Sequence, residues 1–452
     1  MNRLAGIVVV VPAAAMPAIV WACALPPSVI LLLPTGHYIL GAALTVGITA
    51  FVGAVSKWLP LMTPRVIYAG PDRFPFVLTS YLSFLGFLGL LMIGFFGAND
   101  PMHNLLTLVV WTIVWIALPL ACMGGGNLWA GLNPWVGPVR MARLLIGRTG
   151  TIGLARFGHW PAVVGLLAFS WFQIVSIAPD DPAGLAQAAL IYWLIIFVAA
   201  VAEGEDWLQQ GEFLTVFMGM IARIAPFWRK REAGQVQGYI GWPGAQVIGM
   251  TPLGLSEMTF VTLALAGLSF DGLSGTFFWL GLIGENPLEF TGRSAVQGVN
   301  TLGLLGVWAL TALAIFVVVW LGRRIDDTFT GRRVMLSFLA IAAGYHAAHY
   351  LVTLLTAGQY FVAALNDPLY RGDDFLGLPP FYVSYGYLGD GAVMTLVYAA
   401  QFSVILGAHL LAVILALRLS ARGRALAHLP LTVLMVGYTV LGLWLLSTAR
   451  GA

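Results

Sequence analysis

The sequence predicts an all-α fold, a polytopic transmembrane helical bundle of about ten or eleven spans with the N-terminus inside and the C-terminus outside. Three observations carry this. Of 452 residues, 60% are hydrophobic and 9% charged, where soluble domains carry roughly 25% charged residues. Apolar runs of about 20 residues recur, the length a helix needs to cross the hydrocarbon. The basic residues, finally, sort into alternate loops. A membrane leaves no water to pair the backbone, so helices are the default, and the alternating ten-residue segments of a barrel are absent. The 53 glycines and 24 prolines fit spans whose small residues let helices approach closely.

The expected spans are 5–24, 36–55, 77–96, 105–123, 160–178, 185–203, 256–283, 296–321, 334–365, 389–417 and 429–448. Residues 1–35 form an N-terminal span or signal segment. Arg3, a short apolar run and Ala22-Cys23-Ala24 give it signal character. Residues 36–452 form a single transmembrane helical domain. With these spans, 19 basic residues fall on one side and Arg293, Arg371 and Arg450 on the other. The positive-inside rule puts the larger set in the cytoplasm of a bacterial inner (plasma) membrane. The same sorting decides the apolar stretch 207–228. If it crossed, every later basic loop would change side, so it is expected as a cytoplasmic surface helix with Arg223 and Arg229–Arg231 at the headgroups.

The net charge of +3 is distributed by side rather than gathered in a patch, so nucleic acid is not an expected partner. Two cysteines near opposite faces exclude cysteine-ligated iron–sulfur and c-type heme attachment. The loop Gly124-Gly125-Gly126 lacks the Lys-Ser/Thr pair of a P-loop, and Gly-x-Ser-x-Gly is absent.

Ionisable groups inside spans are costly and mark function or a partner. Tyr345-His346-Ala347-Ala348-His349-Tyr350 lies midway along 334–365, with both histidines on one helix face. His409 lies within 389–417, and Asp271 sits among glycines and serines that suggest a broken helix. One reading gathers His346, His349, His409 and Asp271 around a divalent metal, zinc or manganese, with Asp271 and His409 also as catalytic groups. Hydrogen bonding between helices, heme b ligation and proton relay are the alternatives. A second cluster, His37, Asp100, His103, Glu285, Glu289, Asp367 and Asp390, falls at the outer face, and Glu203, Glu205 and Asp206 end a span inside.

Several motifs occur in a familiar order: Gly126-Asn127-Leu128-Trp129 with Leu132-Asn133-Pro134-Trp135, Gly211-Glu212 with Ala225-Pro226, Ser269-Phe270-Asp271-Gly272, the His346/His349 motif and Asn366-Asp367-Pro368. In this order they resemble a bacterial family of multi-span membrane proteins labelled fenitrothion hydrolase, over about residues 36–420. The resemblance implies hydrolysis of an aryl phosphorothioate triester to a phenol and a dialkyl phosphorothioate. It supplies no catalytic residues. Three functions follow. A membrane hydrolase would take a small lipophilic substrate from the lipid bilayer. A small-molecule transporter would show paired broken helices around its mid-membrane polar groups; only one is visible in the sequence. A redox subunit would hold heme b through these histidines.

Overall fold

Long apolar runs free of interior charge fold into helices, and the residues that begin them are those that satisfy unpaired N–H groups. The computed structural model describes residues 35–56, 63–71, 76–232, 235–289, 292–379, 382–420 and 425–448. The expected N-terminal segment 5–24, and Cys23 with it, lies outside the described residues. The main helices are α1 (Thr35–Ser56), α2 (Phe76–Phe96), α3 (Leu105–Gly125), α4 (Trp160–Ile174), α5 (Pro182–Glu203), α6 (Phe213–Ile224) and α7 (Leu255–Ser274). They continue with α8 (Arg293–Ile325), α9 (Gly331–His349), α10 (Leu351–Asn366), α11 (Gly391–Leu419) and α12 (Ala425–Ser447). Asn104, Asp181 and Asp390 cap α3, α5 and α11 by accepting first-turn N–H groups, and Pro182 supplies the pre-set first residue of α5.

Seven of these helices, α1, α2, α3, α5, α8, α11 and α12, are long and apolar enough to cross a membrane. An eighth forms if α9 and α10, bent by 55° at Tyr350, count as one. The outward faces are apolar. On α1, Leu40, Leu44, Ile48, Phe51 and Val55 recur at helical spacing and are 55–69% exposed. A continuous stripe of this kind on several helices is what a soluble protein avoids.

The structure differs from expectation in four places. The span expected at 160–178 is α4, which is only 15 residues long. The span expected at 256–283 is interrupted: α7 stops at Ser274, and a separate helix, Phe277–Leu282, starts from a Thr276 cap. Three antiparallel strands accompany the helices in the order β1–β3–β2: β1 (Arg65–Pro71), β2 (Phe227–Glu232) and β3 (Gln235–Ile240). The all-α expectation misses this sheet because β1 is a partner distant in sequence.

The fourth difference is the stretch 207–228. A helix lying on a surface exposes one face, yet Phe213, Thr215–Met218, Met220 and Ile221 are all buried. The chain instead enters the bundle through Leu208–Gly211, turns at Glu212 and returns as α6. At the turn, Glu212 accepts a hydrogen bond from Tyr192, halfway along α5. The return end carries Ala222 and Ala225, whose carbonyls accept from Gln246. The segment is a buried helical hairpin packed within the bundle instead of a helix lying on its surface.

The basic residues do gather. Arg140 pairs with Glu205, Arg143 donates to the Val201 carbonyl, and Arg148 to that of Ala202. Arg332 and Arg333 donate to the carbonyls of Leu253 and Ile248. The backbone N–H of His159 donating to Ser256 joins these two groups at one end of the bundle. Arg293 lies elsewhere, donating to the Gln173 carbonyl in the last turn of α4.

Core packing depends on close helix approach. Gly344 of α9 faces α11 so tightly that an added Cβ would overlap Ala408, whereas Gly407 beside it faces open space. Gly344→Val should therefore lower the thermal unfolding temperature of the detergent-purified protein sharply, or prevent its recovery. Gly407→Ala should leave that temperature unchanged or slightly raised.

Candidate functional site

Three interruptions in regular helix surround one group of polar side chains. The first is the end of α7 three residues beyond Asp271. The second is the joint at Tyr350 between α9 and α10. The third is a π-helical stretch, Val109–Ala117, inside α3. Such wide turns free backbone groups and recur at functional sites, and irregular backbone inside a membrane is tolerated where protein partners satisfy it.

Asp271 is the centre. Its Oδ2 accepts from His349 Nε2 at 2.9 Å and from the Tyr350 hydroxyl at 2.7 Å. Tyr350 in turn accepts from Gln173 Nε2 at 2.8 Å and from Trp115 Nε1 at 3.1 Å. One tyrosine oxygen thus links α4, the π turn of α3 and, through Asp271, α7. His346 lies one turn before Tyr350 and its Nε2 donates to the Trp115 carbonyl at 2.8 Å. Because a carbonyl only accepts, that nitrogen carries the proton. Trp115 therefore donates through its indole and accepts through its backbone.

Access is graded. The side chain of Asp271 is 21% exposed and that of His349 5%, while His346 is fully buried. His349 lies under the ring of Tyr345 with interplanar angle 17°, and its Nδ1 has no hydrogen-bond partner among the described residues. Gly272 makes this approach of α7 to α9 feasible, since a Cβ there would meet the Tyr345 hydroxyl at 2.5 Å. Beside Tyr350, the walls Ser170, Gln173, Gly267 and Phe217 enclose a cavity of about 10 Å3, the room of one water.

Of the four residues expected to share a metal, the structure brings Asp271 and His349 into direct contact. It sends His346 to a backbone carbonyl. His409 is buried on α11, where its Nδ1 donates to the Ile405 carbonyl of its own helix. The i, i+3 spacing put His346 and His349 on one side of α9, but they serve different neighbours. Among the described residues, no group of three or more His, Cys, Asp or Glu side chains is arranged to hold a metal ion. The four residues are therefore not arranged around one metal centre. The rings of Trp115, Phe217 and Tyr350 pack against His346.

The other acidic groups have local tasks. Asp100 pairs with His103, Asp367 accepts from the N–H groups of Arg371 and Gly372, and Asp390 caps α11. Glu203 accepts three backbone N–H groups, those of Ile152, Leu154 and Ala155. Glu205 faces Arg140, and this contact holds the guanidinium above its ordinary value. The partners that sequence reasoning missed are Tyr350, Trp115 and Gln173. Tyr350 was visible as the last residue of the histidine motif; Trp115 and Gln173 gave no signal beyond being polar-tipped residues inside spans. No protein-family model matches the chain, and no curated protein or solved structure matches it either.

Tyr350→Phe removes one donor from Asp271 and leaves Trp115 Nε1 and the Gln173 amide without their acceptor. Stranding buried donors costs about 1–3 kcal/mol. The variant should unfold at a clearly lower temperature than wild type in the same detergent, with an unchanged far-UV dichroism spectrum before the transition.

Proposed function

We propose that this chain is an integral protein of a bacterial plasma membrane that moves a small molecule across it in exchange or symport with protons. Its arginine-rich end would lie in the cytoplasm, with α1 first crossing outward to inward. The observation that carries the proposal is the partly exposed Asp271 carboxylate, bonded to His349 and Tyr350 where one interrupted helix faces another. The apolar outer faces support membrane insertion, and the clustering of Arg140, Arg143, Arg148, Arg332 and Arg333 at one end supports the orientation.

The geometry gives the proton a mechanical consequence. An ionised Asp271 accepts two hydrogen bonds and so ties α7 to the joint between α9 and α10. Bonds to a charged acceptor are the stronger kind. Protonation at Asp271 removes the charge and turns the carboxyl into a donor, so the grip on His349 and Tyr350 loosens. The α9–α10 joint is the element that this change biases, and two interrupted helices meeting at one polar centre are what a transporter uses. Each cycle returns the carboxylate by releasing the proton to the opposite side.

A second reading rests on the same residues. With Nε2–H held by Asp271, His349 presents a bare Nδ1, the arrangement of a general base oriented by a carboxylate. Hydrolysis of a lipophilic phosphorothioate triester, the reaction that the motif resemblance implies, would use that nitrogen to take a proton from water as phenolate leaves phosphorus. The cavity beside Tyr350 has room for one water, the molecule that this reading would activate.

Both readings are decided with protein reconstituted in liposomes that enclose a pH-sensitive dye. Under an imposed potential, wild type should take up protons severalfold faster than Asp271→Asn, and nitrophenol release from a dimethyl nitrophenyl phosphorothioate should not exceed that of empty liposomes. Equal proton uptake by both proteins would overturn the transport reading. Nitrophenol release that disappears in Asp271→Asn and His349→Ala would establish the hydrolase instead.

A further inference from the structure

A second polar group lies outside this centre, in the wall of the larger cavity. The space between α1, α11 and α12 has a volume of about 180 Å3. A dry engineered cavity of about 150 Å3 holds a benzene ring, so this one has room for one ring with a small substituent. Its walls include Tyr38, Ile39, Phe402, Leu443 and Leu446, and the Tyr38 and Phe402 rings meet edge to face at 5.7 Å. Among the described residues no Lys, Arg, Asp or Glu lines it; its polar lining besides Tyr38 is Thr395, Tyr398, Gln401, Ser403 and Ser447.

Gln401 sets the chemistry. It lines the cavity and is 5% exposed. Its Nε2 donates to the Ala348 carbonyl at 2.7 Å, and its Oε1 has no partner among the described residues. The amide orientation follows from the Ala348 contact, because the reversed amide would set oxygen against oxygen. A buried carbonyl oxygen without a donor is costly. The wall therefore asks for a hydrogen-bond donor on a neutral, ring-sized, mostly apolar molecule. Among the described residues an anion finds no cation there, and a cation finds no carboxylate.

We propose that this cavity binds a neutral aromatic alcohol of the phenol class, its ring between Tyr38, Phe402 and the leucines and its hydroxyl donating to Gln401 Oε1. The site stands apart from the reading of Asp271. It does touch the same joint, because the carbonyl that Gln401 holds belongs to the residue before His349. Occupancy at Gln401 thus bears on the last turn of α9.

Fluorine NMR on the purified full chain tests this with two probes of similar size, 4-fluorophenol and 4-fluoroanisole, each corrected for uptake by protein-free micelles. One neutral hydrogen bond to a buried acceptor corresponds to a preference of about tenfold. Wild type should bind the phenol about tenfold more tightly than the ether. Gln401→Leu should bind both alike. Ala399→Phe, at an exposed wall position that leaves the core untouched, should lose both by filling the mouth. The proposal is overturned if wild type binds neither probe saturably, if it binds both equally, or if Ala399→Phe binds as wild type does. Should Gln401→Leu not fold, the wild-type preference and the Ala399→Phe loss decide it alone.

Discussion

The carboxylate of Asp271 holds together three helices that would otherwise have little reason to meet where they do. Around it, regular hydrogen bonding fails in three places, at the end of α7, at the Tyr350 joint and in the π stretch of α3. Each break exposes backbone or requires a side chain to bridge it. Tyr350 and Trp115 do the bridging, with Gln173 as a further donor. In an apolar interior each of these bonds is strong and each loss is expensive, so the cluster acts as a unit. A change at Asp271 is therefore transmitted to the joint between α9 and α10 without any long path.

The buried hairpin at Glu212 follows the same logic with a different result. Glu212 accepts from Tyr192, from the Leu214 and Thr215 N–H groups and from the Thr215 hydroxyl, and Thr215 accepts from Trp129 and Asn133. Every acceptor is occupied by a neighbour fixed in a helix or its cap. This centre is saturated and closed, which makes it a structural fastener for α6. The Asp271 centre retains a bare imidazole nitrogen and partial access. That contrast separates a site from a fastener among the buried carboxylates described here.

Much of the architecture was legible because its cause is local. A run such as Phe76–Phe96 or Arg293–Ile325 needs only its own hydropathy to be a helix, and the arginine sorting needs only the order of such runs. Asp271 and the histidine motif stood out because charge inside apolar sequence is rare. What was hidden depends on distant partners. Nothing around Glu212 announces that Tyr192 will receive it inside the bundle, and β1 has no partner until β3 arrives more than 160 residues later. The partners of the two histidines were hidden for a related reason: helical spacing fixes which face His346 and His349 occupy, but not that the π turn offers His346 a carbonyl while α7 offers His349 a carboxylate.

Proton coupling at the joint requires Asp271 to exchange a proton from within the bundle. Infrared difference spectra of wild-type and Asp271→Asn proteoliposomes, taken between acidic and alkaline buffer, address this directly. A protonated-carboxyl carbonyl band should appear on acidification in wild type, shift in deuterated water and be absent from Asp271→Asn. Identical difference spectra for the two proteins in that region would show that Asp271 keeps one charge state throughout, and the proton-driven joint would have to be abandoned.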